Sequence, residues 1–275
     1  EQSMQHLVAS ETTVEGPSRF DAVLPRPAPR KPFFGEGTLT PEMKQAWRDY
    51  YRDVAVLAFP TPAGAARIAD LDEKALVYRA PYSSKPGVKP RLPAPAEHES
   101  LPASHCVARD RIVDLTSKMD AQGRLVWDVP AGRWTVMRFV RPSTGQNTRP
   151  APVPGLGFEC DKLDPAALDA HFEAFVGSLI RAIGPRENPP RAGLTSLHID
   201  SWEMGAQNWT GRFAEEFRAR RGYDPRPFLP AVAGRVVDSL EASERFLWDL
   251  RLTAQELVVQ NHAKRLRDLA RRHGL

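Results

Sequence analysis

Residues able to do chemistry crowd into one stretch, Asp200-Ser201-Trp202-Glu203-Met204-Gly205-Ala206-Gln207-Asn208-Trp209-Thr210. It holds two carboxylates, two indoles and two side-chain amides. Indole faces stack on the apolar face of a pyranose, and carboxylates and amides bind its hydroxyls. A carboxylic acid can also protonate a departing glycosidic oxygen. The same residues read equally well as a capped helix start over a buried tryptophan, and composition alone leaves both readings open.

The flanking pattern says what must position them. Leu197 and Ile199 alternate with Ser196 and His198, which predicts a short strand over 194–199. Phe213 and Phe217 lie one helical turn apart, so a helix is expected after Thr210 as N-cap, ending near Gly222. Upstream, Gly157-Phe158-Glu159-Cys160 reads as a strand with Asp161-Lys162 at its C-terminal end. Asp164 and Pro165 then open a helix whose buried face is expected to carry Leu168, Phe172, Phe175, Leu179 and Ile183, with Gly184 as its stop. Two strand-helix units in succession put Asp161, Asp200 and Glu203 at one end, which in a barrel is the active-site face. After a segment broken by Pro225, Pro227 and Pro230, a long helix is expected from about Ser243 to Gly274, with Phe246, Leu250, Leu257, Leu266 and Leu269 on one face.

The first half of the chain has a different period. Residues 1–24 read as strand-rich, followed by a proline-dense linker from Pro25 to Pro32 and a short helix over 41–48 capped by Thr40. Strand patterns recur at 54–59, 111–115, 123–129 and 133–140, and Pro130-Ala131-Gly132 predicts a hairpin between the last two. Several short strands suggest a β-sandwich, with Trp127, Trp134 and Phe139 in its core. The proline-rich 81–105 segment is expected to be a surface excursion. The expected fold class is therefore α/β plus β: a partial (β/α) TIM-type barrel with an inserted β-sandwich-like domain. The division is 1–49 (N-terminal part of the barrel region and linker), 50–142 (the β-sandwich-like insertion) and 143–275 (barrel part with the active-site loop).

The stretch Asp200 to Thr210, with Phe213-Ala214-Glu215-Glu216-Phe217 and Arg220-Arg221-Gly222-Tyr223-Asp224 after it, resembles glycoside hydrolase family 106, the large α-L-rhamnosidases. The likeness continues through Leu229-Pro230-Ala231, Gly234-Arg235-Val236-Val237-Asp238-Ser239 and Ser243-Glu244-Arg245-Phe246-Leu247-Trp248-Asp249. Upstream, Thr144-Gly145, Asn147, Pro150-Ala151-Pro152 and Asp161-Lys162 fit the same pattern, and Glu11 to Gly16 fit it more loosely. Several separated motifs in one order make the resemblance specific, most strongly over 140–275.

The resemblance implies an inverting glycosidase that cleaves terminal α-L-rhamnosyl residues from a rhamnose-containing oligo- or polysaccharide, assisted by calcium, in the periplasm or outside the cell. Glu203 is then the general acid, with a pKa expected to be raised by Trp202 and Trp209. Asp200 shares the loop of Glu203 and so acts from the same side of the sugar. It is expected to bind hydroxyls or calcium, as is Asn208. Asp161 and Lys162 are expected at the sugar too, with Lys162 alternatively the ion-pair partner of Asp161. The second catalytic carboxylate is expected beyond Leu275, and Glu1 at the start points to a processed, trimmed or partial chain. Two other readings fit the same residues: a non-catalytic carbohydrate-binding module, and a glycosidase for another sugar.

Composition narrows the classes further. The chain has 275 residues, 41% hydrophobic and 26% charged, with a net charge of +4 and a sequence pI near 9.2. Its arginines are scattered through every segment and follow no nucleic-acid-binding motif, so no nucleic-acid partner is expected. No apolar run is long enough to span a membrane. Cys106 and Cys160 have no metal-ligand spacing, and one possible pair is no disulfide framework. The seven histidines contain no i, i+4 pair on a helix face, which argues against a zinc site.

Overall fold

A computed structural model describes residues 2–64, 66–77, 98–148, 151–152, 155–184, 194–199 and 205–275. Its centre is a four-stranded antiparallel sheet in the order β1-β4-β2-β3, formed by β1 (Val8–Val23), β2 (Asp53–Pro60), β3 (Val113–Asp114) and β4 (Arg124–Val140). The described strands form this one sheet, not the two packed sheets of a sandwich. They also form no parallel sheet of the kind a (β/α) barrel needs. The sheet crosses the expected boundary at 49–50, because β1 pairs with β4 along nearly its whole length.

The hairpin expected at Pro130-Ala131-Gly132 is absent. β4 runs straight through it, because β1 supplies one long partner to both halves. In place of a turn there is a bulge: Gly16 faces Gly132 and Ser18 faces Val129, so β4 carries one extra residue. That residue resets the alternation of side chains. Leu125, Trp127 and Val129 before the bulge therefore share a face with Trp134 and Val136 after it, and the two indoles meet edge to face at 5.4 Å. Met137 and Phe139 face the opposite side. Gly16 is required here, since a Cβ on it would lie 1.9 Å from the Pro130 carbonyl oxygen.

β2 is buried on both faces. Val56 and Ala58 join the tryptophan cluster, while Ala55, Leu57 and Phe59 join a larger core roofed by helices. This explains its nearly unbroken apolar run. The roof consists of α5 (Phe213–Arg221), α6 (Leu229–Val232) and α7 (Leu240–Leu257). Trp209, Phe213, Phe217, Phe246 and Phe228 run through it as a chain of touching rings, with centroids 4.7 to 6.5 Å apart. α7 begins earlier than expected, with Ser239 as its cap accepting from the Ala242 amide at 3.0 Å. Ser243 lies inside it, its hydroxyl bonded to Val237.

A third cluster holds α3 (Pro165–Phe172) against α8 (Arg265–Arg272). Asp164 caps α3 as expected, accepting from Ala166 N–H at 3.0 Å. A π-helical turn at Glu173–Gly177 joins α3 to α4 (Ser178–Ile183) and rotates the face beyond it. Val176 is buried in consequence, and the expected core residues Phe175, Leu179 and Ile183 are exposed. Leu194 to Ile199 is not a strand. No neighbouring described strand pairs with it, so its alternation completes no ladder. Leu194 and Leu197 instead rest on the third cluster.

In the first half, α1 (Pro41–Asp49) has the expected Thr40 cap, and α2 (Leu71–Lys74) is a single turn. The proline-dense segment packs on the body, with Pro27 and Pro32 buried. Residues 81–97 of the expected excursion lie outside the described residues. Cys106 and Cys160 are both buried and unpaired. No helix among the described residues is long and apolar enough to cross a membrane.

Candidate active-site framework

Asp200, Ser201, Trp202, Glu203 and Met204 lie outside the described residues, so the predicted acid Glu203 and the predicted ligands Asp200 and Trp202 carry no geometry here. The structure does describe the framework on the C-terminal side of that segment and the Asp161-Lys162 segment beside it.

The organising piece is an N-terminal spine that the strand-rich reading of 1–24 left without a role. Ser3 pairs antiparallel with Cys160, and Gln5 pairs with both Ser143 and Trp209. The Met4 amide donates to the Glu159 carbonyl at 2.9 Å, Asp161 N–H donates to Gln2 at 2.7 Å, and Thr144 N–H donates to Met4 at 2.8 Å. Residues 2–7 thus stitch together three of the segments that carry the family resemblance.

Asp161 sits at 1% exposure between two cores, with Cys160 in the α3–α8 cluster and Leu163 in the large one. Its Oδ1 accepts from Leu163 N–H at 2.8 Å and from the side-chain amide of Gln207. Its Oδ2 has no hydrogen-bond partner among the described residues, although the Thr210 hydroxyl lies near enough to favour the charged form. Burial pushes the carboxyl up to about 6, against the opposing pull of Thr210, Gln207 and the Leu163 amide. Gln207 has a second hold: its Oε1 accepts the Lys162 amide at 3.0 Å, and its Nε2 also donates to the Trp209 carbonyl at 3.1 Å. Thr210 is consequently no helix cap. It is buried beside Asp161, and α5 starts at Phe213 without a side-chain cap.

The other expected ligands are committed elsewhere. Lys162 pairs with Glu159 at 2.6 Å, not with Asp161, and its Nζ lies 3.5 Å from the Cys160 sulfur. Burial alone lowers the Lys162 pKa, but Cys160 and Glu159 outweigh it and the net shift is upward. Asn208 is fully buried; its Oδ1 accepts Leu7 N–H at 2.8 Å and its Nδ2 donates to Ala75 at 2.7 Å. That is a structural clamp across three distant segments, with no oxygen turned to a sugar or an ion. Trp209 is 2% exposed, its ring 4.7 Å from Phe213 in the core, so it offers no stacking face. Gly205, with φ of 79°, packs its bare Cα against Phe33, where a Cβ would come within 3.2 Å. The loop from 205 to 210 is therefore fixed at Gly205, Gln207, Asn208, Trp209 and Thr210.

Sequence reasoning gave Gln207 and Glu159 no role of their own and read Thr210 only as a helix cap. Gln207 and Thr210 stood inside the quoted motif, but only the folded partner shows what each is for. Beside this framework a cavity of about 450 Å³ is lined by Ser3, Tyr50, Ser143, Phe158, Cys160 and His171 among others. Burial and then the Lys162 charge lower the pKa of both His171 and His262, the latter to about 4. Among the described residues no three His, Cys, Asp or Glu side chains stand together as a metal cradle. Asp200, an expected calcium ligand, lies outside the described residues.

The described residues thus set an antiparallel sheet under a helical roof, with a buried polar clamp beneath one loop. Residues 1–275 match the family of glycoside hydrolase 106, described as alpha-L-rhamnosidase, and the chain belongs to that family. It is similar over its full length to the structure of a rhamnosidase from Novosphingobium sp. PP1Y, with 27% identity and a TM-score of 0.74, and covers 36% of that chain. It is 34% identical over 275 residues to a protein of Formosa agariphila named "Putative beta-glucuronidase", and spans 21% of that relative's length.

Proposed function

We propose that this chain is part of the catalytic module of an inverting α-L-rhamnosidase, with Glu203 as the general acid. The observation that carries the reading is the family match over all 275 residues, including the loop whose C-terminal flank the Asp161–Gln207 clamp holds. On this reading Glu203 protonates the leaving glycosidic oxygen while a second carboxylate activates water on the opposite face of the sugar. The partial (β/α) barrel belongs to the same reading, and so does a place outside the cytoplasm where rhamnose-containing glycans occur. Asp161 is not that second carboxylate, because its Oδ1 is committed to Gln207 and Leu163 and it lies under the loop. No step is routed through calcium.

A second reading, action on a glucuronide, is favoured by the name of the Formosa agariphila relative. The test is hydrolysis of aryl α-L-rhamnoside and aryl β-glucuronide by the complete protein and by its Glu203→Gln variant, each with and without a chelator. The rhamnosidase reading expects rhamnose release that falls by roughly 10²–10⁴-fold in the variant. Release of glucuronic acid alone moves the assignment to the second reading. Turnover untouched by Glu203→Gln removes Glu203 as the acid. Turnover untouched by the chelator removes calcium.

A further inference from the structure

We infer that Asp161 and Gln207 form a positioning pair that aims the acid's loop, acting through the Gly205–Thr210 anchor without touching the sugar. The inference rests on the assignment of Glu203 as the general acid. Gln207 stands four residues after Glu203, and it is the first described residue beyond Gly205 with a side chain tied to another segment. Both ends of its amide are used: Oε1 takes the Lys162 amide, and Nε2 donates to the Asp161 carboxylate and the Trp209 carbonyl. The partner is a carboxylate buried to 1% exposure, fixed in turn by the Leu163 amide. An ionisable group is costly to bury, and an amide at 161 could still offer one acceptor to Gln207. A carboxylate retained at this depth holds the amide more strongly than a neutral acceptor does.

Asp161 itself is locked at the seam of two packed clusters, with Leu163 in one and Cys160 in the other. Asn261 from the π-helical turn after α7 bonds the Leu163 carbonyl at 2.7 Å. The pair therefore refers the loop to the rigid core and not to a neighbouring loop. Outer-shell partners of metal ligands typically affect activity by about 10–100-fold, and a displacement of about 1 Å at a reacting group can cost about 10²-fold.

The test compares Asp161→Ala, Asp161→Asn, Gln207→Ala and Glu203→Gln in the complete protein, on glycosides with good (dinitrophenyl) and poor (methyl) leaving groups. A residue that acts through the general acid matters only where the leaving group needs a proton. Asp161→Ala and Gln207→Ala are expected to lower kcat about 10–100-fold on the poor leaving group, several-fold or less on the good one, with KM within about twofold. The double variant is expected to be no worse than either single one, and Asp161→Asn is expected to fall between wild type and Asp161→Ala. A loss equal on both leaving groups, or one carried by KM, overturns the inference. Failure of the underlying assignment shows separately, as a Glu203→Gln variant without leaving-group dependence. Amide hydrogen exchange of the 205–210 peptide, read without substrate, is expected to speed up at least tenfold in both alanine variants. Unchanged exchange overturns the pair even where no substrate is turned over.

Discussion

At the scale of single residues, side chains that look like ligands divide by what they touch once folded. Trp209 has the composition of a sugar platform and the position of a core residue, stacked into the ring chain that continues to Phe213 and Phe217. Trp209→Ala is expected to lower unfolding free energy by about 3–5 kcal/mol, read as a shift in the urea midpoint. A sugar platform would instead lose substrate affinity at constant stability. Asn208 is the same kind of case, since Leu7 and Ala75 use up its amide. The motif was legible in the sequence because its residue types are unusual together. The division of labour within it was not, because Leu7, Ala75 and Asp161 lie 201, 133 and 46 residues from their partners. No local pattern encodes such a pairing.

At the scale of elements, those with chemical end signals were readable. Thr40 and Asp164 cap α1 and α3 where expected, and Gly222 closes α5 in the left-handed conformation. Elements whose form depends on a distant partner were not readable. The 194–199 stretch has a strand's alternation and no described neighbour to pair with, and Pro130-Ala131-Gly132 has a turn's composition inside an unbroken strand. The bulge opposite Gly16 has a sharp consequence. Gly16→Ala places a methyl group against the Pro130 carbonyl, a backbone atom that cannot swing aside. The expected loss is about 1–3 kcal/mol or more, seen as a lower urea midpoint, with tryptophan fluorescence altered because Trp127 and Trp134 flank the bulge.

At the scale of the whole molecule, buried titrating groups set the response to acid. His6 accepts the Arg30 amide and is held at about 3 by burial and then by the Arg30 charge; His262 lies at about 4. The unfolded chain binds protons there that the folded chain refuses. Their contribution is complete above the free-histidine value of 6.5 and is lost as pH falls, at about 1.4 kcal/mol per pH unit per proton. Asp161, raised from 3.8 to about 6, has the opposite sign: its contribution is present at low pH and lost as pH rises through 6. His6, His262 and the likewise lowered His171, against one aspartate, predict a stability that falls from pH 6.5 to 4.5. His6→Gln is expected to flatten that fall and Asp161→Asn to steepen it, in urea titrations at several pH values.

The sheet also sets a timetable. β1 emerges from the ribosome more than a hundred residues before the β4 strand it pairs with. At roughly 5–20 residues per second, that interval is about 5–20 s. For that time sixteen residues of strand-forming chain have no partner, and such a strand readily recruits a neighbouring chain. The charges Glu11, Glu15, Arg19 and Asp21, with Pro17 among them, punctuate it. Charges and a proline spaced along a strand in this way disfavour pairing with another chain.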